Sequence, residues 1–305
     1  MRGWATERRP ESPDPGLDFQ SELHPKPRPV FLRAPARITF FNLNLLLSHR
    51  DLGGAGRPPL VILHGMLGSS RNWQTAGRDL AAGFHVLAPD LRNHGASPRA
   101  ETMTYPEMAA DVIAWLDAQG LSTVTLLGHS MGGKIAMVLA CRHPKRVARL
   151  ILVDIAPKDY HWVAHRAEFA AMNELDLEHL RSRAEAELKF EARVSDWAMR
   201  KFMATNLERA EGGGWLWLVN LPALTAALPI LEKNPLAPGD LYAGPTLVIA
   251  GGKSRYVEPA DWSEVTAHFP AAQLEIIPGA GHNPHLDARD ALVRLVLGEK
   301  GLGRG

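Results

Sequence analysis

An α/β fold is predicted for this sequence by two features of its patterning. From about residue 37, short uninterrupted apolar runs alternate with longer stretches whose apolar residues recur at helical spacing. The runs carry no polar alternation, which is how strands of a mostly parallel sheet read when crossover helices cover both faces. Taken in order, the candidate strands are Ile38–Leu47, Leu60–His64, His85–Ala88, Val124–Leu127, Leu150–Val153, Thr246–Ala250 and Leu274–Ile277. Between them, Tyr105–Gln119 sets Met108, Val112, Trp115 and Leu116 at helical spacing and stops at Gly120. A second helix, Met131–His143, stops before Pro144. Residues 1–36 stand apart: Pro10, Pro13, Pro15, Pro25, Pro27, Pro29 and Pro35 lie among mixed charges, with too little apolar surface to offset the entropy of ordering. That segment is predicted to be a flexible tail. It lacks the apolar core of a signal peptide, and Glu7, Glu11, Asp14, Asp18 and Glu22 are too many acids for a mitochondrial presequence.

The alternation breaks over 157–240, where helical periodicity continues without a convincing strand, interrupted by Gly212-Gly213-Gly214. This reads as a helical cap inserted into a core made of 37–156 and 241–298. It carries Trp162, Trp197, Trp215 and Trp217 with Met172, Met199 and Met203, apolar and adaptable side chains suited to lining a cavity or to packing the insert itself.

Composition removes several classes of function. The 305 residues are 46% hydrophobic and 22% charged, as in a globular protein. Lys and Arg number 34 against 33 acids, net +1, and no basic stripe could track a phosphate backbone, so nucleic acid is not an expected partner. A single cysteine, Cys141, excludes an intramolecular disulfide or a paired-cysteine metal site and suits a reducing, cytoplasmic location. Asn42, Asn44, His129 and Lys134 interrupt the most apolar stretches, so no membrane span is expected.

Chemistry enters at Gly128-His129-Ser130-Met131-Gly132, a G-x-S-x-G pattern between the apolar run ending at Leu127 and a helix. A serine on such a strand-to-helix turn is presented by a strained backbone, and the helix start aims N–H groups at developing negative charge. Ser130 is therefore the candidate nucleophile. Its hydroxyl needs a base, and His282, in Gly279-Ala280-Gly281-His282 directly after the last candidate strand, falls on the sheet edge where Ser130 sits. His285, three residues on, is the alternative and is expected to be solvated. The loop after Thr246–Ala250 contains no carboxylate and offers Ser254 where an acid is expected. Asp154, at the end of Leu150–Val153, is the candidate acid instead, with Glu258 and Asp261 as alternatives. Oxyanion donors are expected from the backbone N–H groups of Met66, in His64-Gly65-Met66-Leu67-Gly68, and of Met131. His64, His129 and Trp217 are candidate substrate contacts, although His64 also fits a core histidine bonded to backbone. Asp90-Leu91-Arg92-Asn93-His94-Gly95 fits either substrate contact or a salt-bridged turn.

With HGMLGS, DLRNHGASP, GHSMGGK, VDIAP, GGKSRYV and GAGH in view, the chain over 37–298 resembles the α/β-hydrolase family, and within it the YbfF-type bacterial esterases and their mitochondrial relatives. The resemblance implies a mostly parallel eight-stranded sheet with flanking helices, a helical cap after the sixth strand, and a triad of Ser130, His282 and Asp154. It also implies hydrolysis of small carboxylic esters of short to medium acyl chains through an acyl-enzyme, with no metal or organic cofactor. Thioesterase, C–C hydrolase or perhydrolase chemistry would use the same triad, and a non-catalytic binding protein could use the same scaffold.

Overall fold

In the computed structural model, residues 46–161 and 163–298 are described. The order of elements is β1 (His49–Gly53), β2 (Pro59–Leu63), α1 (Gln74–Leu80), β3 (His85–Pro89), α2 (Tyr105–Ala118), β4 (Val124–His129), α3 (Met131–Arg142) and β5 (Val147–Val153). The segment that follows holds α4 (Val163–Asn173), α5 (Arg183–Phe190), α6 (Trp197–Ala204), β6 (Leu207–Arg209), β7 (Trp215–Trp217) and α7 (Leu221–Leu231). The chain then returns through β8 (Thr246–Gly251), α8 (Trp262–His268), β9 (Ala272–Ile277), α9 (Pro284–Asp287) and α10 (Arg289–Leu297).

Seven strands form one sheet in the order β1-β3-β2-β4-β5-β8-β9, parallel except for β1. The strand interiors are apolar on both faces because both are covered. Val61 and Leu63 point into the side packed by Met108, Val112, Trp115 and Ile135. Leu60 and Ile62 point into the side packed by Trp73, Leu80, Leu292 and Val296. Each such side chain contributes about 1.5–3 kcal/mol by leaving water. Helix α2 starts as its sequence requires: the Thr104 side chain accepts from the Glu107 N–H, the Glu107 carboxylate accepts from the Thr104 N–H, and Gly120 just beyond the end adopts φ 68°.

The differences from expectation have local causes. The resemblance implies eight strands where seven are seen among the described residues; the candidate at 38–47 lies outside them but for Leu46 and Leu47, which are not in a strand. Strand β1 was not anticipated, because His49, Arg50 and Asp51 are polar; it is an edge strand whose first three residues are exposed. The other edge, β9, is half exposed rather than covered on both faces, with Ile276 in solvent. Within 157–240 the structure adds a short antiparallel ribbon, β6 with β7, across the glycines Gly212–Gly214. Only three residues long on each side, it leaves no periodicity to read. The tail at 1–36 and Trp162 lie outside the described residues.

One buried cation ties α7 to the sheet-flanking helix α3. The Lys134 ammonium, fully buried, donates to the carbonyls of Glu232 at 3.2 Å and Lys233 at 2.5 Å just past the end of α7, and lies 4.8 Å from the centre of the Tyr160 ring. Burial lowers its pKa from the ordinary lysine value to about 7, against the opposing charges of Asp159 and Glu232. No helix among the described residues is long and apolar enough to cross a membrane.

Candidate active site

Strands β4, β5 and β8 run parallel and side by side, so their carboxyl ends deliver three loops to one place. At the end of β4, Ser130 adopts φ 51° and ψ −119°, a left-handed conformation costly for a residue with a Cβ. Close packing around the turn holds it. A Cβ on Gly128 would lie 2.4 Å from the Gly132 carbonyl oxygen, and one on Gly132 would lie 2.3 Å from that of Leu63, so only glycine lets α3 start this close to β2.

The end of β5 places Asp154, also at φ 51° and fully buried, beside this turn. Its Oδ1 accepts the Gly251 N–H at 2.9 Å, and its Oδ2 accepts from the Ser254 hydroxyl at 2.5 Å and from His282 Nδ1 at 2.8 Å. His282 Nε2 lies 3.0 Å from Ser130 Oγ. The three residues singled out from the sequence thus form one hydrogen-bonded chain. Ser254, in the position where an acid was expected, is a donor to the acid instead. Of the alternative acids, Asp261 is engaged elsewhere, with the Lys158 ammonium at 2.6 Å and with the Glu258 N–H at 2.8 Å.

Aromatic contacts hold His282. The Tyr256 ring stacks on the imidazole at 3.6 Å between centres and 19° between planes. His129 Nε2 donates to the His282 carbonyl at 2.8 Å, and burial, reinforced by His285 and His282, holds the His129 pKa well below the usual histidine value. His285 is not solvated: it is buried and stacks on Trp73 at 4.3 Å, with its pKa pushed down to about 3 by burial and by His282. Both are neutral imidazoles near pH 7.

On the other side of Ser130, a Cβ on Gly65 would lie 3.3 Å from the serine Cβ, so the Gly65-Met66 backbone runs directly against Ser130. Met131 opens α3, where a first-turn N–H has no intrahelical acceptor. His64 donates from Nδ1 to the Gly65 carbonyl at 2.9 Å and accepts the Leu91 N–H at Nε2 at 3.0 Å, so both ring nitrogens serve the backbone, and burial lowers its pKa. Asp90 accepts from Ser70 and Ala96, while Arg92 pairs with Asp111 at 2.5 Å; both of these side chains hold loops together.

A cavity of about 170 Å³ opens on Ser130 and His282, with Met66, Met199, Phe202 and Leu286 among its apolar walls and His64 and His129 at its floor. Of the Trp and Met side chains expected from 157–240, Met199 alone among the described ones reaches it. Trp217 sits on β7, where its carbonyl accepts from Arg99 at 2.6 Å, and does not line the cavity. Trp197 is exposed over Lys201, Trp215 lies against Arg183 and Arg209, and Met172 and Met203 pack in the core. The sequence reading missed Phe202, His165 and Glu168. Phe202 follows Met199 by one helical turn in α6, and His165 and Glu168 bear the same relation in α4, so spacing alone could have paired them. His165 Nδ1 and Glu168 Oε2 are 2.6 Å apart, and His165 Nε2 lies 3.4 Å from the Tyr256 hydroxyl.

Comparison with known proteins bears on the fold and the family. A family model described as alpha/beta hydrolase fold matches residues 58–185. Esterase YbfF of Escherichia coli (strain K12) is 35% identical over 241 residues, covering 78% of this chain and 91% of that protein. The sn-1-specific diacylglycerol lipase ABHD11 of Mus musculus is 38% identical over 251 residues, covering 80% and 81% respectively. Among solved structures, a marine microorganism esterase superposes with a TM-score of 0.81 at 33% identity, covering 84% of this chain and 100% of that one. Relatives that are 35% and 38% identical over most of their own length place the chain in the α/β-hydrolase family.

Proposed function

We propose that the protein is a serine carboxylic-ester hydrolase that works through an acyl-enzyme. The observation that carries this reading is the unbroken chain from Asp154 through His282 to Ser130. In the proposed cycle, Ser130 Oγ attacks the ester carbonyl carbon as His282 Nε2 takes its proton. The oxyanion is met by the N–H groups of Met66 and Met131, at the close approach of Gly65 and the first turn of α3. Asp154 keeps the Nδ1 proton directed at itself and stabilises the imidazolium. Collapse breaks the bond to the leaving oxygen, which receives the proton from His282, and water attacking by the reverse route releases the acid.

The segment 157–240 serves in this reading as a cap, since α4 and α6 supply walls of the cavity opposite the nucleophile. A cavity of about 170 Å³ suits short to medium acyl chains, and the lipase relative makes glycerol esters substrates to try. The test is hydrolysis of p-nitrophenyl esters from acetate to palmitate by the full chain and by Ser130→Ala prepared in parallel. Activity on the shorter esters that falls about 10³-fold or more in the variant is expected. Equal rates from the two proteins would overturn the assignment.

A further inference from the structure

His165 and His282 are the two residues that line both the cavity at Ser130 and a second one of about 400 Å³ on the far side of the His282 ring. The two chambers differ in charge. Lining residues of the Ser130 chamber include Glu168, Asp196 and Asp287 and no Lys or Arg. Those of the second chamber include Lys253 and Arg255 and no Asp or Glu, and neither cation makes an ion pair with a described residue. Tyr256 lines the second chamber, stacked on His282 and with its hydroxyl near His165; burial first, then the charges of Glu168 and Asp154, raise its pKa.

The direction of proton transfer decides which half of a substrate goes where. Resting on the hydrolase reading above, the histidine that takes the proton of Ser130 must return it to the leaving oxygen, so the leaving group lies on the His282 side and the acyl group on the side of Met66, Met199 and Phe202. We propose that the chamber behind His282 is a leaving-group subsite for an anion, a phosphate or carboxylate carried by the departing alcohol or thiol and met by Lys253 and Arg255. The carboxylates of the Ser130 chamber discriminate against the same charge on the acyl half. Attraction and repulsion thus give the site a polarity along the scissile bond, which a uniform attraction of anions to the surface would not produce.

The experiment compares aryl acetates whose phenyl ring carries, in the para position, hydrogen, carboxylate, phosphate or a trimethylammoniomethyl group, with phenyl hydrogen succinate as the ester bearing its charge on the acyl side. Each kcat/KM is divided by the rate constant for hydroxide hydrolysis of the same ester, which removes differences in leaving-group reactivity. Wild type is expected to favour the two anionic acetates over the cationic one by about tenfold or more at low salt. Phenyl hydrogen succinate is expected to fall below phenyl acetate. In the double variant Lys253→Glu with Arg255→Glu, both at exposed positions, the order of anionic and cationic acetates is expected to invert. The carboxylate and phosphate arms show which anion is preferred. A flat series, an order unchanged by the double variant, or equal preference for anions on either half would overturn the subsite. Failure to hydrolyse phenyl acetate itself would instead overturn the hydrolase reading, a result separable from a flat charge series.

Discussion

A carboxylate with no exposed surface, as at Asp154, loses its hydration and needs donors to replace the water. Three do: the Gly251 N–H, the Ser254 hydroxyl and His282 Nδ1. Asparagine has the same shape but presents an amide whose NH₂ cannot accept from His282, so the imidazole loses the partner that fixes its tautomer. We expect Asp154→Asn to lower kcat by about 10³–10⁴-fold while the far-ultraviolet circular dichroism stays that of the wild type. A variant within tenfold of wild type would remove Asp154 from the proposed mechanism. Ser130, Asp154 and His282 were legible in the sequence because each follows an apolar run ending at one sheet edge. Trp217 was misplaced for the opposite reason: nothing local tells which side chains of an insert turn inward. That choice is made by packing between segments distant in the chain, such as the Arg99 side chain held against the β7 backbone.

At the scale of elements, the turn from β4 to α3 is one of the tight junctions at the site. Gly132→Ala would drive a methyl to 2.3 Å from a β2 carbonyl, and neither backbone can retreat without moving a strand or the serine. Destabilisation of about 1–3 kcal/mol or more is expected, seen as a fall in Tm of several degrees together with lost activity. Gly212→Ala, in the ribbon loop with nothing near the added methyl, is the control and should stay within about 0.5 kcal/mol of wild type. Equal Tm values for the two variants would show that the junction is slack. Elements were readable where their signal is internal: β2, β4 and β8 as apolar runs, α2 from its Thr-to-Glu cap and terminal glycine. They were unreadable where pairing alone makes them, as in β1, polar and formed because β3 offers a free edge, and in the three-residue ribbon of β6 and β7.

For the molecule as a whole, buried bases make stability depend on pH in two windows. His129, His285 and His94 have pKa values pushed below the usual histidine value by burial, to about 3 for His94 and His285. The unfolded chain therefore binds more protons as the pH falls through about 6.5, and stability should decline from there downward. Lys134, lowered to about 7, acts at the other end: between pH 7 and the ordinary lysine value the unfolded chain again holds the extra proton, so stability should rise. Urea midpoints measured from pH 5 to 10 should climb in both windows, His285→Phe should flatten the lower and Lys134→Met the upper. A curve unchanged by Lys134→Met would mean that the ammonium is not the group titrating there.

In the proposed mechanism the acid stands at the end of β5, which has a consequence for how such an enzyme can be reshaped. The loop after β8, Gly252 to Val257, carries no acid that must stay put, and its Lys253 and Arg255 side chains stand in solvent. With Ser254 and Tyr256 retained, Lys253 and Arg255 on either side of Ser254 are positions whose charge and bulk can drift or be redesigned while the proposed proton path stays intact. Selection among substrates and the chemistry that cleaves them can therefore be altered one at a time, which makes this short loop the natural place to diversify a library.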